Sequence, residues 1–464
     1  MISVVLIPIA LIFFLSQTRF TQFCIVTISI LFPLTFGNLR SIPDLLVVEW
    51  LIPVFFLITL NDLIPLNSIR RNKKLINFRG TEIFIFALII LLTWTIISFV
   101  NNIIVDTNTY SGSESGGVAR VYFRIVIDIL SFLSVVFFMQ KHSNKFDVEK
   151  WLRIIIYFSI FAGVIRIITY FTGFDIHIFG GSFEYDPEAI TSYRVVALSD
   201  TCAAIGIPAV IAHFYIKKKL NLIATGIFII YMILGAGRNI MIGISLGLII
   251  YSAFFYKKNI VYILIIGIVA ISAFLFIVPE NFVAGQFKRL TTFEGGIKKQ
   301  DVLRYVVYKK SLENFNKNPV LGKGISKYGE FIMNPISNPL GEEFIRQQLT
   351  AGGHGAYIGI LGTFGLGGII YLTILVFGGI IISFKKLKMY IYSNPFFGSI
   401  TVFVFLLMIQ KSLYYITSYT GLDDISLFLL IGLMVSIRSL ENKINETEYD
   451  NTEIFPIQYI STEK

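Results

Sequence analysis

Apolar runs of roughly 15–25 residues recur along the chain, each closed by a short polar or basic stretch. A helix of that length crosses about 30 Å of hydrocarbon. The runs are continuous rather than alternating in period two, which excludes a membrane barrel. Thirteen candidate spans follow, near 2–16, 20–36, 43–60, 81–100, 120–139, 151–170, 195–216, 220–236, 239–256, 260–279, 356–384, 395–416 and 425–438. The first two are short, and if one is re-entrant the count is twelve. The pattern predicts an all-α, polytopic membrane protein with about 12–13 transmembrane helices and one large external helical loop. Its parts are an N-terminal bundle over 1–279 (about ten spans), an external subdomain over 280–355, C-terminal spans over 356–438 and a disordered cytoplasmic tail over 439–464. The opening MISVVLIPIALIFFL lacks a basic leader and a small-residue cleavage site, so it reads as a first span.

Composition agrees: the 464 residues are 55% hydrophobic and 15% charged, with mean hydropathy +0.74. The net charge of +10 sits largely in short loops, which reads as topology and not as a nucleic-acid footprint. One set of loops holds Arg70, Arg71, Lys73, Lys74, Lys141, Lys145, Lys150, Lys217–Lys219, Lys257, Lys258, Lys385, Lys386 and Lys388. The alternate loops near 101–119, 171–193 and 417–424 contain no Lys or Arg, so the first set is cytoplasmic by the positive-inside rule. The 280–355 segment departs from this, with eleven Lys/Arg against seven Asp/Glu on the outer side. Segments of that length cross regardless of charge, which leaves its basicity free for function. Within it 301–316 reads as a helix, with an apolar stripe at Tyr305, Tyr308, Leu312 and Phe315, ended by Asn318-Pro319. The glycine-punctuated PVLGKG turn follows.

Orientation brings five arginines of the apolar segments to one face. Arg120 and Arg124, followed by Asp128, lie at successive turns of one span; Arg166, Arg194 and Arg238 sit at the outer ends of others. Lys411 and Arg40 belong to the same region. A single arginine near a helix end can snorkel to the interface without any ligand, as Arg153 does at the inner end. Five at the outer end run against the positive-inside rule, and guanidinium forks match phosphate oxygens. The set is therefore read as a site for a lipid-linked phosphate or pyrophosphate. His354, flanked by glycines at the mouth of a span, is the histidine placed to reach a substrate; His142, His177 and His213 read as bland. Cys24 and Cys202 are apolar fillers within spans. No metal spacing, P-loop or dinucleotide fingerprint occurs, so neither a metal nor a cofactor is expected, and the substrate arrives already activated.

Three stretches resemble the O-antigen polymerase and O-antigen ligase superfamily of bacterial envelope proteins. They are LGAGRNIMIGISLG with Arg238, Arg304 with NFNKNPVLGKG, and GGHGAYIGILGTFGLGG with His354. Gly355 and Gly237 stand where that family usually has Asn and Ser. The resemblance implies a plasma-membrane glycosyltransferase whose active site faces outward. Its donor is an undecaprenyl-pyrophosphate-linked glycan, and partners come from the same pathway, a chain-length regulator and a flippase. It implies catalytic roles for His354, Arg238 and Arg304; the expectation that Arg120, Arg124, Arg166, Arg194 and Lys411 bind the pyrophosphate rests on topology alone. Polymerisation of lipid-linked repeat units is the leading expectation. A ligase passing finished polysaccharide to a lipid or other acceptor is the alternative. The rival of another class, a flippase of lipid-linked oligosaccharide, would be expected to show internal repeats and interrupted helices.

Overall fold

The computed structural model describes residues 2–32, 47–63, 81–105, 116–143, 146–172, 199–235, 238–255, 308–309, 311–324, 356–417 and 424–450. No strand occurs among the described residues. The helices are α1 (Ile2–Ser16), α2 (Arg19–Leu31), α3 (Val47–Leu63), α4 (Glu82–Val105), α5 (Gly116–His142), α6 (Val148–Thr172), α7 (Ser199–Lys217), α8 (Leu222–Gly235) and α9 (Arg238–Phe255). After a short helical stretch at 308–309 and 311–317 come α10 (Ala356–Thr373), a π-helical turn (Ile374–Gly378), α11 (Gly379–Tyr390), α12 (Pro395–Thr417) and α13 (Ile425–Asp450). Apart from the spans at 356–384 and 425–438, each predicted span that falls on described residues is a helix within a few residues of its expected ends. The last helix continues to Asp450, into the polar stretch where a disordered tail is expected. The candidate span at 260–279 lies outside the described residues.

Side-chain ties fix the two ends of the bundle, and α3 runs parallel to α5, with Glu49 on Arg124 at one end and Asp62 on His142 at the other. At one end Arg19 of α2 grips Asp62 of α3 through Nε (2.6 Å) and Nη2 (3.2 Å), with His142 of α5 3.1 Å from the same carboxylate. Lys217 of α7 pairs with Glu149 of α6 at 2.8 Å, and Tyr392 donates to the Phe255 carbonyl at 3.1 Å. This is the lysine-rich end. Its tight turns start new helices through side-chain caps: Asp147 accepts from Lys150 N, Asn221 from Ala224 N, and Asn394 from Phe396 N and Phe397 N. Just inside it an aromatic knot locks four helices together, with Phe23 stacked on Phe138 at 4.3 Å and edge-on to Phe146 at 5.3 Å.

The interior is apolar and so is much of the surface. Ile12, Phe86, Ile89 and Ile223 are exposed apolar side chains, as a lipid-facing surface requires. Small polar residues inside satisfy themselves on their own helices: Thr27, Ser134, Ser159, Thr401 and Ser436 each donate to the carbonyl four residues earlier. Five stretches are long and apolar enough to cross a membrane: Glu82–Val100, Tyr122–His142, Val148–Ile168, Ala356–Tyr390 and Pro395–Ile416.

The fourth of these is not one straight rod. Gly365 has φ 58° and ψ −144°, a conformation essentially confined to glycine. In a continuous helix Tyr357 and Phe377 would stand about 30 Å apart; their ring centroids are 6.4 Å apart. A Cβ on Gly368 would come within 2.3 Å of Ile360 Cγ2. The 356–364 arm therefore folds back along the helix that follows, and the stretch after Gly365 is what remains to cross. A single span is expected over 356–384; the structure puts an elbow in it.

The elbow frees backbone groups that a helix would have paired, and the PVLGKG turn takes them up. Lys323 N donates to Gly362 O (2.9 Å), Gly324 N to Thr363 O (2.8 Å), and Leu366 N donates to Pro319 O (2.9 Å). Trp94 of α4 adds Nε1 to Val320 O at 3.1 Å. The helical stretch before the turn comes in backbone-close, since a Cβ on Gly362 would lie 2.7 Å from Ser311 Cα. Ser311 therefore meets the span, while Leu312 of the expected apolar stripe is exposed.

Phe23 is fully buried in the knot, so Phe23→Ala should cost about 3–5 kcal/mol. Thermal unfolding of the detergent-solubilised protein measures this, and an unchanged midpoint would show that the knot is not a stabilising centre.

Candidate functional site

The sequence-predicted bases that fall on described residues all belong to the end of the bundle opposite the Arg19–Asp62–His142 cluster. Arg120 lies in the first turns of α5, with Arg124 one turn on. Arg166 lies in the outer third of α6 and is only 5% exposed. Arg238 is the first residue of α9. Helices α9 and α12 pack antiparallel and close, with a Cβ on Gly243 3.1 Å from Gln410 Cα and one on Gly247 3.4 Å from Leu406 Cδ2. Extending that register one turn brings the start of α9 level with Tyr415. Arg40, Arg194, Arg304 and His354 lie outside the described residues.

Among the described side chains, Arg124 and Lys411 hold carboxylates. Arg124 Nε is 2.7 Å from Glu49 Oε1 at the start of α3, where Glu49 is 2% exposed. Lys411 Nζ is 2.5 Å from Asp424 Oδ2, and Tyr415 Oη donates to the same oxygen at 2.5 Å. The other oxygen of Asp424 accepts from Ser426 Oγ (2.6 Å) and Ser426 N (3.1 Å), which makes Asp424 the cap of α13. Burial opposes ionisation of Asp424; the Lys411 ammonium, with hydrogen bonds from Lys411, Ser426 and Tyr415, overrides it and holds the carboxyl below its ordinary value. A phosphate reaching Lys411 or Arg124 would thus have to replace a carboxylate. These carboxylates do for the bases what a ligand is expected to do, and they keep the charges compatible with a low-dielectric setting.

The Asp424 cluster and the Arg124 turn are neighbours. Helix α13 packs along α5, with a Cβ on Gly432 3.0 Å from Val135 Cβ. That register sets the start of α13 beside the turn holding Arg124 and Asp128, and Asp128 is 1% exposed. From the other side α10 packs against α12, the helix that carries Lys411 and Tyr415. The outer end of α5, α10, α12 and α13 is therefore a polar junction inside an apolar bundle. Glu49, Tyr415 and Asp424 do not figure among the residues chosen from sequence. The signals exist: Glu49 is an acid inside an apolar run, and Asp424 directly precedes another with a serine two residues on.

These features define a multi-pass helical membrane protein with a charged junction at one end. Residues 223–373 match the model of the O-antigen ligase family. The match places this segment in the O-antigen ligase and polymerase superfamily and supports a role in surface polysaccharide biosynthesis of that type, a membrane glycosyl transfer on a lipid-linked glycan. It takes in Arg238, the 319–324 turn and the elbow at Gly365. No match is found among curated proteins.

Removing the Asp424 charge leaves Lys411 without its counter-ion, so Asp424→Asn should destabilise by at least about 2 kcal/mol. The Lys411→Met/Asp424→Leu pair should recover much of that. Because the carboxyl ionises below its ordinary value of 3.8, its contribution is present above that pH and lost as pH falls through the lower, folded value. Thermal unfolding across pH 3–7 reads both effects; equal midpoints for wild type and Asp424→Asn at neutral pH would refute the pairing.

Proposed function

We propose that this protein polymerises undecaprenyl-pyrophosphate-linked oligosaccharide repeat units into a surface polysaccharide, in the outer leaflet of the plasma membrane. The observation that carries the reading is the family match over 223–373, the segment that contains Arg238, Arg304 and His354. The gathering of Arg120, Arg124, Arg166, Arg238 and Lys411 toward one end of the bundle supports it.

In this reaction an acceptor hydroxyl attacks the anomeric carbon of the donor glycan. The glycosidic C–O bond to pyrophosphate breaks, and the leaving group takes the electron pair. Arg238 and Arg304 neutralise the charge that develops there, with Arg120, Arg166 and Arg194 holding the pyrophosphate in advance. Arg124 and Lys411 join them by exchanging a carboxylate for a phosphate oxygen. His354 accepts the proton of the attacking hydroxyl. No metal or cofactor is needed in this scheme.

A ligase reading, with transfer of finished polysaccharide to another acceptor, is favoured by the description of the matched family itself. The interrupted helix at Gly365 is the feature expected of a flippase. Among the described residues this positive-φ break within a helix has no counterpart in the first half of the chain, whereas an inverted repeat would supply one.

Arg238→Ala and His354→Ala should each abolish long-chain polysaccharide in a deletion strain while membrane protein levels stay normal. Normal chains in both variants would remove these residues from the site. In the deletion strain itself, single capped repeats indicate a polymerase, and long undecaprenyl-linked chains that fail to reach their acceptor indicate a ligase.

A further inference from the structure

The 319–324 turn and the elbow of α10 complete one another. The elbow leaves two carbonyls and one N–H without helical partners, and the turn supplies two N–H groups and one carbonyl in matching order. The fit leaves no room for side chains. A Cβ on Gly365 would lie 2.5 Å from Pro319 O and 2.6 Å from Val320 O; one on Gly322, where φ is +66°, would lie 2.5 Å from Thr363 C and O. The seat extends to two further helices. The Trp94 ring packs where a Gly367 Cβ would be, Ser98 lies under Gly324, and Ser98 is hydrogen-bonded at 2.9 Å to Tyr122 of α5. Val320 and Leu321, at 57% and 43% exposed, face outward as an apolar tip.

We propose that this turn is a permanently closed latch that positions the 356–364 arm for glycosyl transfer, with Gly322, Gly365 and Trp94 as positioning residues that touch no substrate. The arm belongs to α10, which packs against α12, the helix of Lys411 and Tyr415, and it begins two residues after His354 in sequence. A shift of about 1 Å at a reacting group typically lowers turnover by about a hundredfold, so the latch acts on rate while remaining remote from the chemistry. The inference rests on the proposed transfer reaction for its consequence and on the backbone geometry for the latch itself.

A disulfide across the seat tests it. The Cβ of residue 324 would stand 3.5 Å from Ser98 Cβ, within the span a disulfide bridges. The full-length Ser98→Cys/Gly324→Cys protein, with a protease site inserted between the two positions, is expressed in the deletion strain. Cysteine at 324, where φ is +83°, strains the turn by itself, so the reduced double variant is the reference: oxidation followed by cleavage should leave the halves joined on a non-reducing gel, with polysaccharide output no lower than in that reduced variant. Absence of the cross-link, or output lost on oxidation and regained on reduction, overturns the closed latch. Adding Gly322→Ala should lower both the cross-link yield and the output, the latter by about tenfold or more, at unchanged membrane level. Oxidant should then restore output by closing the latch covalently. Wild-type output from Gly322→Ala with the cross-link lost would overturn the positioning role. If wild-type protein restores no polysaccharide, the proposed reaction fails, while the cross-link still reports on the latch.

Discussion

In hydrocarbon a backbone N–H or C=O without a partner costs several kcal/mol, and that constraint governs the middle of this molecule. Gly365 turns α10 back on itself and opens backbone groups that a continuous helix would pair. The break persists because Lys323 N, Gly324 N and Pro319 O occupy the freed positions. The arm before the elbow, the Trp94 face of α4 and the helical stretch at 311–317 all take their places from that exchange. A segment expected to be external from the span count, in spite of its basic charge, is thereby tied into the apolar bundle.

Charges obey the same economy. Arg124 and Lys411 exist inside the bundle because Glu49 and Asp424 neutralise them, and the Asp424 carboxylate has every lone pair engaged by Lys411, Tyr415 and Ser426. In the proposed transfer a pyrophosphate, with more charge and more oxygens than a carboxylate, would have to displace Glu49 and Asp424 from these bases.

Much of the fold was legible from hydrophobic pattern alone, because a membrane span is specified by length and polarity before any tertiary contact is made. That Arg120, Arg124, Arg166, Arg238 and Lys411 fall toward one end of the bundle was legible too, since helix direction follows from counting spans. Their partners were harder to see. Glu49 and Asp424 come from helices distant in sequence, and periodicity within one helix carries no information about which helix lies beside it. The elbow was hidden for another reason. GTFGLGG reads as a glycine-rich continuation of a span, and glycine is common in membrane helices for close packing as well as for breaks.

The sequence by itself determined that this is an all-α membrane protein, which end of each span bears its basic residues, and that residues 223–373 carry the marks of the O-antigen ligase and polymerase superfamily. Those properties are written in local composition and in short motifs. Only the tertiary structure decided which bases are already paired, that the chain doubles back at Gly365, and that the PVLGKG turn fills the gap. Each of these depends on atoms brought together from far apart in the chain, where the deciding quantity is a distance of about 3 Å between a donor and an acceptor.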